Sequence, residues 1–163
     1  IEDDDFDMLV MGRTQGKGCY CFVNGLLQAQ LAKLQNNYPY MVVDNEAGME
    51  HISRGVLPSM QTAILVSDCS RRGIQAVGRI KKLIEECDMH PQQIGLIVNR
   101  APSGILNEGT KEEIEIQGLN LLGVVPQDEL VYEYDCEGRP TVELPEDSPV
   151  RKAMSEIVKK LNI

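Results

Sequence analysis

The chain has 163 residues, enough for one domain and hardly for two. Its formal net charge of −9 argues against a nucleic-acid backbone or an anionic membrane as the main partner. No apolar run approaches the ~20 residues that span a bilayer, and the odd count of five cysteines argues against a disulfide framework and for a reducing cytoplasm.

In chain order, the crowded Glu2, Asp3, Asp4, Asp5 and Asp7 read as a solvated, acidic start, unlike a signal peptide. Phe6 to Met11 reads as a buried strand. Val23 to Leu34 carries apolar residues at helical spacing, and Asn36-Asn37 ends that helix. Tyr40 to Val43 is a second strand, stopped by Asp44, and Ala63 to Val66 is a third. Gly73 to Cys87 is an amphipathic helix with Ile74, Val77, Ile80, Leu83 and Ile84 on one face. Ile94 to Val98 and Leu119 to Val125 are the fourth and fifth strands, the latter cut off by Pro126. Pro149 suits the first turn of a last helix with an apolar stripe of Ala153, Met154, Ile157, Val158 and Leu161. Short apolar strands separated by helices define an α/β fold with a mostly parallel sheet and helices on both faces. Chemistry in such sheets sits outside the carboxyl ends of the strands.

Four places there carry candidate chemistry. Asp44, just past a strand, has the position of a carboxylate that holds Mg²⁺ beside a nucleotide phosphate, although many strands end in Asp for turn chemistry alone. Gly48, four residues on, is able to bring a backbone N–H close to a terminal phosphate. Cys19 and Cys21 place two thiols on one side of an extended segment, a pair suited to Zn²⁺, Cu(I) or Ni²⁺. Two thiols do not close a tetrahedral site. A two-fold dimer supplies four sulfurs, and His51, His90 or Cys136 are weaker sources of further ligands. The same pair also fits a plain half-buried packing role. Gly12 to Gly18 (GRTQGKG) invites a phosphate-loop reading and fails it. Three residues, not four, precede Gly16-Lys17, and Gly18 stands where a hydroxyl is required. Finally, Asn99-Arg100 and Pro126-Gln127-Asp128 follow adjacent strands. An Asn amide offers the donor and acceptor that pair with an adenine edge, while Asn and Asp also serve as simple loop caps.

Taken together, Cys19-Tyr20-Cys21 followed by Asn24, the run Asp44-Asn45-Glu46-Ala47-Gly48-Met49-Glu50-His51, Ser67-Asp68 before Gly73, and Val98-Asn99-Arg100 resemble the MinD/ParA-like deviant-Walker ATPases. Within that group they look most like the CooC-type nickel-insertion ATPases, accessory proteins of carbon monoxide dehydrogenase. The resemblance runs from about Phe6 to the final helix. It implies a P-loop NTPase (Rossmann-like) fold, with residues 1–163 as one domain that is the C-terminal two-thirds of the family's domain. It implies ATP or ADP and Mg²⁺ as cofactors, Asp44 on the Mg²⁺ side, and Glu46 to Gly48 in the switch that senses the γ-phosphate. Asn99 and Arg100 would meet the base beside Pro126 and Asp128. Cys19 and Cys21 would bind Ni²⁺ or Zn²⁺ across a homodimer, for a client such as carbon monoxide dehydrogenase.

The departure from the family is the Gly-rich loop with its lysines and Mg²⁺-ligating hydroxyl. The chain as written is therefore expected to bind nucleotide poorly and to hydrolyse it negligibly. Two further readings remain: a nucleotide-independent metal-binding dimerisation module, and a MinD-like positioning ATPase. The acidic charge and the core-like final helix count against the second of these.

Overall fold

The structure, a computed structural model, describes residues 6–10, 21–34, 36–45 and 60–161, with residues 21–24 described by backbone alone. The chain divides into two compact units, Ile1–Pro58 and Ser59–Ile163.

In the first unit, helix α1 spans Cys21–Leu34. Leu31 is buried and Leu27 and Leu34 are half-buried, the i, i+4, i+7 spacing of one helical face. The helix ends where the Asn37 N–H donates to the Leu34 carbonyl at 2.8 Å. The two strands expected in this unit are not found among the described residues. Within Phe6–Met11, Asp7 forms an isolated bridge and its described neighbours are irregular; Tyr40–Val43 is irregular throughout. An apolar run becomes a strand only where a ladder and a covered face reward it. Here Val10 is 70% exposed and Val42 93%. Tyr38 donates its hydroxyl hydrogen to the Asp7 carboxylate.

The second unit forms its three expected strands and the helices expected over Gly73–Cys87 and from Pro149, and adds two helices that the apolar pattern did not mark. Its elements are β1 (Thr62–Ser67), α2 (Arg71–Glu86), β2 (Gln93–Ala101), a 3-10 turn (Pro102–Gly104), α3 (Glu108–Ile116), β3 (Leu121–Pro126), α4 (Glu129–Glu137), a second 3-10 turn (Thr141–Glu143) and α5 (Pro149–Lys159). The sheet order is β1-β2-β3, parallel throughout. Register places Val66, Ile97 and Gly123 on one face. That face receives α5: Ile157 clusters with Ile97, Leu122 and Val125, flanked by Val150, Ala153 and Leu161. The opposite face, with Ala63, Leu65 and Ser67 buried, receives α2, whose Ile74, Val77 and Ile84 are buried. Helices therefore cover both faces, as parallel pairing requires. Coverage by α5 is incomplete over β1, where Ile64 and Val66 stand 43% and 56% exposed.

Two glycines set how closely layers approach. A Cβ at Gly123 would collide with the Ile157 side chain, and one at Gly78 in α2 would collide with Gln117 just beyond α3. The expected stripe of α5 is only half core. Ala153 and Ile157 turn inward, whereas Met154 and Val158 line a surface groove with Leu144 and Val150. Lys160 donates to the Leu122 carbonyl at 2.6 Å and fastens the end of α5 to β3.

Overpacking under α5 is directly testable. Gly123→Ala is expected to cost about 1–3 kcal/mol in urea unfolding. Combining it with Ile157→Ala, itself costing about 2–5 kcal/mol, is expected to give less than the sum of the two, because the truncation removes the clash. Strict additivity would show that Gly123 and Ile157 are not in contact.

A candidate nucleotide site at the carboxyl edge of the sheet

The three parallel strands end on one edge, and their loops build the candidate site. After β1 the chain turns through Asp68-Cys69-Ser70 into α2. The Ser70 N–H and hydroxyl both donate to one Asp68 carboxylate oxygen, at 2.8 and 2.6 Å. The Ser70 Oγ in turn accepts from the Gly73 N–H at 3.0 Å, capping the helix. Gly73 is required here, because a Cβ would strike the Asp68 carboxylate and the Ser67 hydroxyl. The Ser70 hydroxyl, then its backbone N–H, hold the Asp68 carboxyl below its ordinary range against the opposing effect of burial. The positive charge of Arg100, from the next strand end, adds to the effect.

The end of β2 is irregular. Val98 pairs with Val124 and Ala101 with Pro126, so Asn99 and Arg100 together face the single residue Val125 across the ladder. This is a bulge, which re-aims side chains at a strand end. Arg100 has φ 54°, and Ser103 and Gly104 follow at 53° and 68°. Such left-handed backbone is costly for a side chain and concentrates at functional sites. The Asn99 Oδ1 accepts the Arg100 N–H at 2.9 Å. Beyond the bulge, the Ala101 carbonyl accepts the Gln127 N–H at 2.9 Å and joins the β2 and β3 ends.

The structure sorts the residues singled out from sequence. Asn99, Arg100, Pro126 and Asp128 come together at the ends of β2 and β3. Asn99 is half-buried and Arg100 exposed. Asp128 caps α4, accepting from the Leu130 N–H at 3.0 Å and from the buried Ser148 hydroxyl at 3.3 Å, so both its oxygens are engaged. Asp44 is exposed in the irregular segment of the first unit. Glu46, Gly48, His51 and Cys19 lie outside the described residues, and of Cys21 only its place at the start of α1 is described. Among the described residues no cluster of three or more His, Cys, Asp or Glu could hold a metal ion. His90 pairs with Asp88 at 2.8 Å, and Cys136 is an exposed free thiol, so neither joins a ligand set there.

Two residues that the sequence did not single out fasten these loops. The hydroxyl of Thr110, in the first turn of α3, donates to the Cys69 carbonyl at 2.7 Å, while Asn107 caps the helix through the Thr110 N–H at 2.9 Å. One turn on, buried Glu113 receives Arg71 at 3.0 Å and Gln117 at 2.9 Å. A Thr and a Glu near a helix start look like surface residues in a sequence; only the meeting of α2 and α3 makes them interior.

The fold is that of the MinD/ParA P-loop NTPases. The chain superposes with a TM-score of 0.67 on a ParA-family ATPase of Chlorobium tepidum, at 22% identity, covering 83% of this chain and 55% of that one. On the septum site-determining protein MinD of Pyrococcus horikoshii, determined with Mg-ADP, the TM-score is 0.66 at 20% identity, covering 85% and 56%. In sequence the chain is 37% identical to an uncharacterized ATP-binding protein of Methanocaldococcus jannaschii, over 99% of this chain and 63% of the relative. The carbon monoxide dehydrogenase accessory protein CooC of Rhodospirillum rubrum is 24% identical over 85% of this chain and 52% of its own length. A septum site-determining protein MinD of Synechocystis sp. is 27% identical over 71% and 44%. This chain therefore spans between about two-fifths and two-thirds of the relatives it matches. No family model matches the chain.

The Glu113 contacts predict an acid sensitivity. Hydrogen bonds from Gln117, then Arg71, favour the carboxylate over the cost of burial and hold its pKa below the ordinary glutamate range. The unfolded chain thus takes up this proton first as pH falls. The stabilisation is complete above about pH 4.3 and is lost as pH drops through the lower folded-state value. Urea midpoints measured from pH 7 to 3 should fall less steeply on the acid side for Glu113→Gln than for wild type. Parallel acid limbs would remove Glu113 from the account.

Proposed function

We propose that this chain is part of an ATP-dependent metallochaperone of the MinD/ParA type, which delivers nickel to a client metalloenzyme such as carbon monoxide dehydrogenase. In this reading residues 1–163 form the C-terminal two-thirds of one ATPase domain. The nucleotide half is carried by one observation: the bulge that sets Asn99 at the carboxyl edge, tied through Ala101 to the Pro126–Asp128 loop. A half-buried amide beside backbone polar groups fits an adenine edge, which needs a donor and an acceptor side by side. The Asp128 carboxylate, already engaged by Leu130 and Ser148, shapes the loop and does not itself read the base.

Asp44 supplies the carboxylate on the Mg²⁺ side, and Glu46 to Gly48 form the segment that responds to the terminal phosphate. Nucleotide bound there draws two copies together, and Cys19 and Cys21 from each copy hold the cargo ion, Ni²⁺ or Zn²⁺. Hydrolysis loosens the pair and releases the ion to the client. The metal half is supported by the Cys19-Tyr20-Cys21 spacing and by the likeness to CooC. A cytoplasmic site of action fits the free Cys69, Cys87 and Cys136 thiols. No described helix is long and apolar enough to cross a membrane.

A second reading, a MinD-like positioning ATPase without a cargo metal, is favoured by the likeness to MinD in both sequence and fold. The two readings share the base site and differ at the cysteines.

Two measurements separate these parts. Asn99→Ala is expected to weaken adenine-nucleotide binding by about tenfold, the loss of a buried hydrogen-bonding partner; unaltered binding removes Asn99 from the base site. Purified protein is expected to carry one Ni²⁺ or Zn²⁺ per dimer, with metal and dimer both lost in Cys19→Ser. Metal content unchanged by that substitution would leave the positioning reading standing and end the metallochaperone one.

A further inference from the structure

We infer that Arg100 is a positioning residue: its left-handed backbone, not its guanidinium, locks the Asn99 amide in the orientation that selects adenine over guanine. The inference rests on the base-site reading of Asn99 and assigns a cause to its specificity.

The side chain of Arg100 is directed elsewhere. It is exposed, and its charge acts on Asp68 in the β1–α2 turn. Its backbone N–H, by contrast, donates to the Asn99 Oδ1 at 2.9 Å. This bond fixes which way the amide faces. Rotating the amide by half a turn would bring its NH₂ against the Arg100 N–H, donor against donor. The locked carbonyl oxygen has a second lone pair free for a donor on the ligand, and the NH₂ beside it needs an acceptor. Adenine presents that pair on its Watson–Crick edge, an amino group at C6 next to the N1 acceptor. Guanine has the reverse pair, a carbonyl at C6 next to N1–H, and would set acceptor against acceptor and donor against donor. An unlocked Asn turns over and accommodates guanine; a locked one does not.

The lock depends on φ at residue 100. Ala101 is held on its far side by register with Pro126 and by the Gln127 N–H. With that side anchored, moving φ from 54° into the extended region has to be absorbed by turning the peptide between Asn99 and Arg100. The turn carries the N–H away from the Asn99 oxygen. Glycine occupies left-handed φ freely, whereas a β-branched residue resists it strongly.

The experiment is NMR of the whole isotope-labelled chain, titrated with ADP and with GDP, for wild type, Arg100→Gly and Arg100→Val. NMR also reads weak binding. Arg100→Ala stands in if the Val variant does not fold. Wild type and Arg100→Gly are expected to show slow exchange of the backbone amide proton of residue 100, the proton held by the Asn99 Oδ1, and a preference for ADP. Arg100→Val is expected to lose the slow exchange and to lower the ADP preference by about tenfold, the discrimination one well-placed amide pair supplies. A loss of preference in Arg100→Gly equal to that in Arg100→Val would assign the role to the guanidinium and overturn the lock. A preference unchanged in the Val or Ala variant would overturn it as well. If wild type responds to neither nucleotide, the base site itself falls and the inference with it; binding without the contrast between variants ends the inference alone.

Discussion

Parallel pairing of β2 with both neighbours is the constraint on which the site depends. Because β1 and β3 run alongside β2 in the same direction, all three strands deliver their carboxyl ends to one edge. Each chain exit there has to turn back through a helix on one face or the other. Asp68, Asn99 and Gln127 are neighbours for this reason, though 31 and 28 residues of sequence separate them in turn. The bulge at Asn99-Arg100 is the local departure that makes the edge more than a row of turns.

The loops at that edge are not independent. Thr110 grips the Cys69 carbonyl and Glu113 grips Arg71, so the start of α3 holds the turn that opens α2. The segment leading into α3 is the strained run from Arg100 to Gly104. Strain of this kind persists only where neighbours over-determine it. The paired ends of Ala101 and Pro126 on one side, and the buried polar contacts of α3 on the other, supply that restraint. Buried Glu113 illustrates the requirement that an interior charge be fully partnered. It has Arg71 on one oxygen and Gln117 on the other, and Gly78 leaves the space in which Gln117 lies.

Much of the second unit was legible in the sequence because its apolar patterns are strong. The face Ile74, Val77 and Ile84 marks α2, and the runs around Leu65, Leu96 and Leu122 mark the strands. Helices α3 and α4 escaped notice for opposite reasons. In α3 the interior positions include Thr110 and Glu113, which break the apolar period. In α4 only Tyr134 is buried, while Tyr132 of similar character is 72% exposed. The apolar runs Phe6–Met11 and Tyr40–Val43 form no strand among the described residues, and composition alone does not report whether a run is paired in a ladder. Strand ends led to Asn99 and the Pro126–Asp128 loop. The bulge, the left-handed Arg100 and the capping role of Asp128 follow from pairing and anchoring over long sequence separations, which no local pattern encodes.

The placement of α5 also orders events during synthesis. The face formed by Ile97, Leu122 and Val125 finds its cover in Ile157, which is made only after α4 and the second 3-10 turn. Until then the opposite face can close over α2 and α3, while Gly123 leaves an open notch in a half-covered apolar sheet. A growing chain therefore passes through a stage in which one side of the sheet is native and the other is exposed to neighbours. The clasp of Lys160 on the Leu122 carbonyl closes that window last.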